Sequence, residues 1–275
     1  MVGAIGGFGG WLVRATHDFG VFGRFAGAAL GASFRSGLGW SRPRLLMPQL
    51  FSVGTRSIPV VMLVGGFVGA VLGVEGYDQF AAIGQETKLG GVISVSVVKQ
   101  IGPVLAAVMI AGRVGGSISA ELGTMRVTEQ IDAVDVMGVD PIRYLVMPRV
   151  CACLIMVPIL TVFSDLLGVL GGWLVIVRGY GVDNGAYWQF SREFIGNYEV
   201  LIGLGKALSF GLMIGLIACF KGFTCRPGAA GVGRASTDAF VTSFIAIIVA
   251  NFFLAAFFNS LRTLLYGDGG PTAFG

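Results

Sequence analysis

Five long apolar runs, residues 57–75, 91–112, 144–177, 198–220 and 237–264, constrain this chain more than any other feature. Each comes close to or exceeds the roughly 20 residues that carry a helix across a bilayer. In hydrocarbon every backbone N–H and C=O must be satisfied internally, which leaves only helices and closed barrels. Barrel strands are about half this length and alternate apolar with polar residues. These runs do neither. The predicted fold is therefore all-α and polytopic, with five transmembrane helices. The charged fraction agrees: it is 12%, against roughly 25% in soluble domains. The mean hydropathy of +0.81 points the same way. The 45 glycines suit helices that approach each other closely in lipid.

The flanks divide the chain into three predicted parts, 1–56, 57–264 and 265–275. Residues 6–34 are apolar but broken by Arg14, His17, Asp18 and Arg24. They read as an amphipathic helix lying in the membrane interface, with Gly23, Gly27 and Gly31 as a small-residue ridge. Residues 35–56 carry Arg35, Arg42, Arg44 and Arg56 without an acid. The start is Gly-rich and interrupted by Arg14, so no cleavable signal peptide is evident. The Gly-rich tail after 264 is expected to be flexible. In the first span Gly65, Gly69 and Gly73 share one face and call for a helix neighbour, in this chain or in a second subunit.

Basic residues set the orientation. Thirteen Lys/Arg fall before the first span, in 113–149 and in 221–236, against five on the other side, with Lys206 embedded in a span. The positive-inside rule then puts the N-terminus in the cytoplasm and the C-terminus outside. The net charge of +4 is accounted for by these topology signals, and no nucleic-acid partner is expected. Cys151, Cys153, Cys219 and Cys225 show no zinc or disulfide spacing and read as structural thiols. His17 has no partner set for a metal. No cofactor is expected.

The polar stretch Glu121 to Arg149 carries the most information. Thr128 reads as an N-cap, followed by Glu129 and Asp132, acids that suit a helix N-terminus. Gly138 reads as the residue just past a helix end, and Asp140-Pro141 stops continuation. A short helix at about 124–138 results. Val127, Ile131 and Val134 share one face; Glu129, Asp132 and Asp135 share another. Such a helix either packs on its own bundle or docks into a partner's groove. Elsewhere there is no Walker motif, since Gly205-Lys206 lacks both the upstream Gly and the following Ser/Thr. No H-E-x-x-H, G-x-S-x-G or paired-carboxylate motif occurs, so no catalytic activity is expected of this chain.

The same stretch, ELGTMRVTEQIDAVDVMGVDPIRYLVMPR, resembles the signature of the MlaE/YrbE permease family. AGVGRAS (Ala230 to Ser236), Gly112-Arg113 and Lys99-Gln100-Ile101-Gly102-Pro103 fit the pattern as well, and the likeness covers roughly residues 45 to 264. It implies the permease of a bacterial ABC lipid transporter in the inner membrane. Such a permease works as a dimer, with a cytoplasmic ABC ATPase below and an MCE-domain lipid-binding protein outside. The resemblance makes 127–137 the coupling helix. Glu129, Asp132 and Asp135 would then be polar contacts to the ATPase, and Ile131, Val134 and Met137 apolar ones. It also implies a lipid pocket at Lys99 and Gln100, with Val71, Leu72, Val74 and Tyr77 lining the apolar part. Gram-negative relatives often carry Arg-Glu where this chain has Lys99-Gln100, so the positive charge is kept and the carboxylate is lost.

Ionisable groups inside a span are costly and read as functional. Lys99 is the expected headgroup contact. Lys206 is expected to pair with Asp165, and Asn251 and Asn259 to bond between helices. Arg113 and Glu121 are expected to brace the coupling segment. Two other functional classes make their own demands on a sequence. A secondary transporter or channel for a small amphipathic solute needs charges along a pathway or repeated broken helices. An intramembrane enzyme needs a convergent acid, base or nucleophile. Neither pattern is visible. The lipid, the direction of transport and the choice between a homodimer and a pair of related permeases stay open at this level.

Overall fold

The computed structural model describes residues 16, 17, 19–31 and 43–266. Arg14, Asp18, Arg35, Arg42 and the tail after 266 lie outside the described residues. All regular structure among those described is helical. Five helical stretches are long and apolar enough to cross a membrane: Arg44–Ala82, Glu86–Val127, Ile142–Gly179, Asn197–Phe223 and Ala229–Leu264. The five expected spans are present, and each is longer than its apolar run. At 1.5 Å per residue the 42-residue second stretch measures about 60 Å, twice the hydrocarbon thickness. Its last turns therefore carry the chain well beyond the lipid.

A short apolar helix, α1 (Phe19–Gly31), precedes the bundle. The first span comprises α2 (Pro43–Leu50), a π turn at Phe51–Thr55 and α3 (Ile58–Ala82). The second comprises α4 (Leu89–Ser96), α5 (Gly102–Ile110) and α6 (Gly116–Val127), joined by π turns at Val97–Ile101 and Ala111–Gly115. The short helix α7 (Gln130–Val136) follows. A π turn at Ile142–Val146 leads into α8 (Met147–Trp173). Then come α9 (Asn184–Phe194), α10 (Asn197–Phe223) and α11 (Ala229–Tyr266).

The glycine face of α3 finds its partner within the chain, on α8. A Cβ at Gly65 would sit 2.5 Å from the Ser164 carbonyl oxygen, and one at Gly69 would run into the backbone of Gly168. Gly171 of α8 stands in the same relation to the Gly66 carbonyl. The two backbones are in contact, and only glycine allows that. The opposite edge of α3 presents Val60, Leu63, Phe67, Val71 and Val74, all exposed at spacings of three and four. In lipid such a stripe carries no penalty, because acyl chains are as apolar as the side chains.

Contacts identify the two ends of the bundle. At one end Phe22 and Phe25 of α1 meet Phe220 of α10, with ring centroids 5.3 and 5.5 Å apart, and Phe25 also meets Phe223. Gly222 lies against Ser119 and Leu122 of α6, and Gly123 against Cys225. The segment from α6 to the start of α8, with α7 in it, belongs to this end. At the other end α9 packs on α4: Ser94 Oγ donates to Ser191 Oγ at 2.9 Å, and Tyr187 Oη donates to the Val169 carbonyl at 2.9 Å. Tyr77 and Tyr180 stack there with centroids 3.9 Å apart, and Arg262 faces Glu199 at 3.9 Å. The expected ridge of Gly23, Gly27 and Gly31 on α1 meets nothing within 4 Å among the described residues.

Candidate functional site

The α7 hairpin is built from its ends inward. Thr128 is not an N-cap; it closes α6, and its hydroxyl donates back to the Thr124 carbonyl at 2.9 Å. A threonine within a helix readily makes this i−4 bond, which removes it from capping duty. The N-cap is Glu129, held in the left-handed region at φ 59°, and it is the single non-glycine residue with positive φ among those described. The exit is as expected. Gly138 has φ 75°; its N–H donates to Asp135 O, and Val139 N–H donates to Val134 O. These two bonds are the Schellman pattern, which left-handed glycine makes possible. Asp140 then accepts from Ile142 N–H at 2.9 Å and faces Arg143.

The faces of α7 differ from the sequence expectation in one respect. Ile131 is 4% exposed and belongs to the main apolar core, so it anchors α7 and does not face outward. Val134 is half-buried. The apolar surface left free is Val136, 89% exposed, and Met137, 71% exposed, with Val139 beside them. Asp132 and Asp135 are exposed, and Asp132 is bound by Arg126 at 2.5 Å. Val136 lies one turn after Asp132, on the acidic side of α7, so the apolar spacing of Ile131 and Val134 does not reach it. The bend at Glu129 resets the phase of the helix, and the three-and-four spacing fails across it.

One ion pair and one hydrogen bond brace the spans from which this hairpin projects. Arg149 of α8 is buried; it contacts Glu121 of α6 at 3.0 Å and donates to the Leu145 carbonyl at 2.7 Å. Arg113, in the Ala111–Gly115 turn, donates to Ser57 Oγ at the start of α3 at 2.9 Å. Arg149 was not singled out from the sequence, where it reads as one more topology charge.

The second group of residues lies within the second span, at the Val97–Ile101 turn. A π turn leaves the helical ladder out of register and commonly marks a functional position. Gln100 Oε1 accepts from the Lys206 ammonium of α10. The expected Lys206–Asp165 pair does not form. Asp165 Oδ1 lies against Gly102 and has no hydrogen-bond partner. Gly102, lacking a Cβ, lets α8 come so close that this carboxyl packs on backbone. Asn251 Oδ1 is likewise unpartnered, contrary to its expected place in an interhelical bond. The six residues expected at the pocket are not brought together by one chain. Val71 and Val74 sit on the outward stripe of α3. Leu72 and Tyr77 pack inward on the smaller core of Leu89, Ile93, Val97, Ile176, Val182 and Tyr187. Gln100 faces α10 through its bond to Lys206, and Lys99 precedes it in the same turn.

The comparisons with known proteins converge. A family model described as "Permease MlaE" matches residues 46–257. The chain is 41% identical over 246 residues to a probable ABC transporter permease protein of Rickettsia conorii, covering 90% of this chain and 94% of that one. It is 41% identical over 232 residues to a probable ABC transporter permease protein of Synechocystis, with 84% and 86% covered. It is 35% identical over 213 residues to the intermembrane phospholipid transport system permease protein MlaE of Haemophilus influenzae, with 77% and 82% covered. On the extent and identity of these matches, the chain belongs to the MlaE permease family.

Proposed function

We propose that this chain is the membrane subunit of an ABC transporter that moves a phospholipid or related lipid between the inner membrane and an MCE-domain partner. ATP hydrolysis is supplied by a separate cytoplasmic ATPase docked on α7. Two permease copies are needed to complete the path. The observation that carries this reading is α7 itself. It is a short helix with exposed acids and an exposed Val136–Met137 tip, displayed at the end of the longest span. Acidic rim and apolar tip suit a partner's groove lined by basic and apolar residues.

The link from motor to lipid runs through rigid parts. α7 is anchored to the main core by buried Ile131, and α6 is joined to α8 by Glu121–Arg149. A push on α7 therefore moves the α6–α8 base, and through α5 and α8 reaches the Val97–Ile101 turn. The outward stripe of α3, Val71 and Val74 included, supplies apolar wall for acyl chains where two copies meet. The headgroup sits at Lys99 and Gln100. Lipid carriage is supported by family membership and by the phospholipid transport named for the Haemophilus relative.

The test is co-purification with an ATPase from the native host, repeated with Asp132→Lys and Asp135→Lys combined. Reversing two charges on the exposed rim is expected to abolish ATPase recovery while the permease still purifies as a folded chain. Full recovery of the ATPase with the double variant would refute docking at α7.

A further inference from the structure

The foot of α11 is pinned to α6. Ser119 Oγ donates to the Ala235 carbonyl and Ser236 Oγ to the Gly116 carbonyl, each at 3.0 Å. Ala235, Ala239 and Ser243 are buried on that side. The side turned away is barely covered: 11% of the most apolar stretch of α11 lies buried within the chain, against 28% or more in the other four spans. Along it Arg234, Asp238, Val241, Ile245, Ile248 and Phe252 recur at spacings of four and three, and all are exposed. That spacing is the seam of two helices packed side by side. Asn259, seven residues beyond Phe252, continues the seam and is exposed as well.

The apolar seam residues alone need no protein neighbour, since acyl chains cover them equally well. The polar ends do. Arg234 and Asp238 stand one turn apart at the edge of the apolar run, yet they pair neither with each other nor with any other described residue. The Asn259 carbonyl accepts from Thr263 Oγ1 at 3.2 Å, but the side-chain amide has no partner among the described residues. Charges and amides left this way at the edge of hydrocarbon or within it are costly.

We propose that this seam pairs with the α11 seam of a second copy of this chain, with Arg234 of each copy bound to Asp238 of the other and the two Asn259 amides bonded across the axis. The surface is self-complementary. Helices related by a two-fold axis normal to the bilayer run parallel and bring equal levels together. Each arginine then faces an aspartate about one turn away, within reach of its long side chain, and the contact occurs twice. A polar amide at one seam position fixes the register. A helix from another protein would match only with the same two charges at the same spacing. The inference rests on the two-copy reading above and selects a pair of identical chains over a pair of related permeases.

The experiment uses the full chain in its native membranes, in a Cys225→Ser background; the other three cysteines are buried. Ile248→Cys places a thiol on the seam, and its twin across the axis lies within disulfide reach. Leu166→Cys, exposed on α8, is the control. Oxidation with copper phenanthroline is expected to give a product of twice the chain's mass with Ile248→Cys and none with Leu166→Cys. Adding Asp238→Arg, which crowds arginines at the foot of the seam, should lower the yield about tenfold, the scale of one charge-pair coupling. Adding Arg234→Asp as well swaps the two charges and should restore the yield, which a misfolded chain could not do. The seam is overturned by no product at Ile248→Cys, by equal product from Leu166→Cys, by a yield that Asp238→Arg leaves unchanged, or by a swap that restores nothing. A product of any other mass assigns the seam to a different protein and overturns the identical pair. The mass of the purified complex separates the two readings. Two permease copies without the seam crosslink leave the two-copy reading standing, and a single copy overturns both.

Discussion

Glu129 shows how one residue decides where a helix begins. Its left-handed backbone turns the chain from α6 into α7, and a side chain there carries about 1–2 kcal/mol of strain. Glu129→Gly should raise thermal stability in detergent by up to about 1 kcal/mol, because glycine adopts this conformation freely. Glu129→Val should lower it by about 1–2 kcal/mol, since a β-branched residue fits this region poorly. Equal melting temperatures for all three proteins would remove the strained turn from the account. Gly138 could be read from the sequence because glycine past a helix end has one dominant reason to be there. Glu129 could not, since nothing local marks a non-glycine residue as left-handed. Gln100 and Lys206 lie 106 positions apart, and only the close approach at Gly203 joins them. No spacing rule connects such residues, and the plausible acid–base pairing of Lys206 with Asp165 failed for that reason.

At the scale of elements, the span count followed directly from hydropathy, whereas the span lengths did not. Apolar runs report the part of a helix inside lipid. The amphipathic turns that continue α6 to Val127 and begin α11 at Ala229 are held by protein contacts, which hydropathy does not see. The α3–α8 interface was half legible: the repeat of Gly65, Gly69 and Gly73 announced a packed face but not its partner. The backbone contact there makes a sharp contrast. Gly69→Val should destabilise by about 1–3 kcal/mol, as overpacking does. Gly66→Ala should be nearly silent, because a Cβ there meets the Leu167 carbonyl at an ordinary 3.6 Å. Melting curves in one detergent would compare them, and a silent Gly69→Val would mean that the helices are not in contact at that level.

For the molecule as a whole, the proposed function makes it a lever whose motor belongs to another protein. The exposed tip of α7 sits at one end, the lysine–glutamine group lies within the span bundle, and buried Arg149 and the glycine-packed α3–α8 pair keep the two in register. The outer face of α11, with Phe244, Phe252, Phe253 and Phe257 exposed, leaves a second broad apolar surface for lipid or for another permease copy. In the proposed function α7 faces the cytoplasm and is covered by the ATPase. The direct measurement is accessibility of a thiol at Met137→Cys to a membrane-impermeant maleimide, in a Cys225→Ser background; the other three cysteines are buried. The expected result is no labelling in intact cells, rapid labelling in inverted membrane vesicles stripped of the ATPase, and protection when the ATPase is restored. Labelling from outside intact cells, or labelling that the ATPase leaves unchanged, would contradict it.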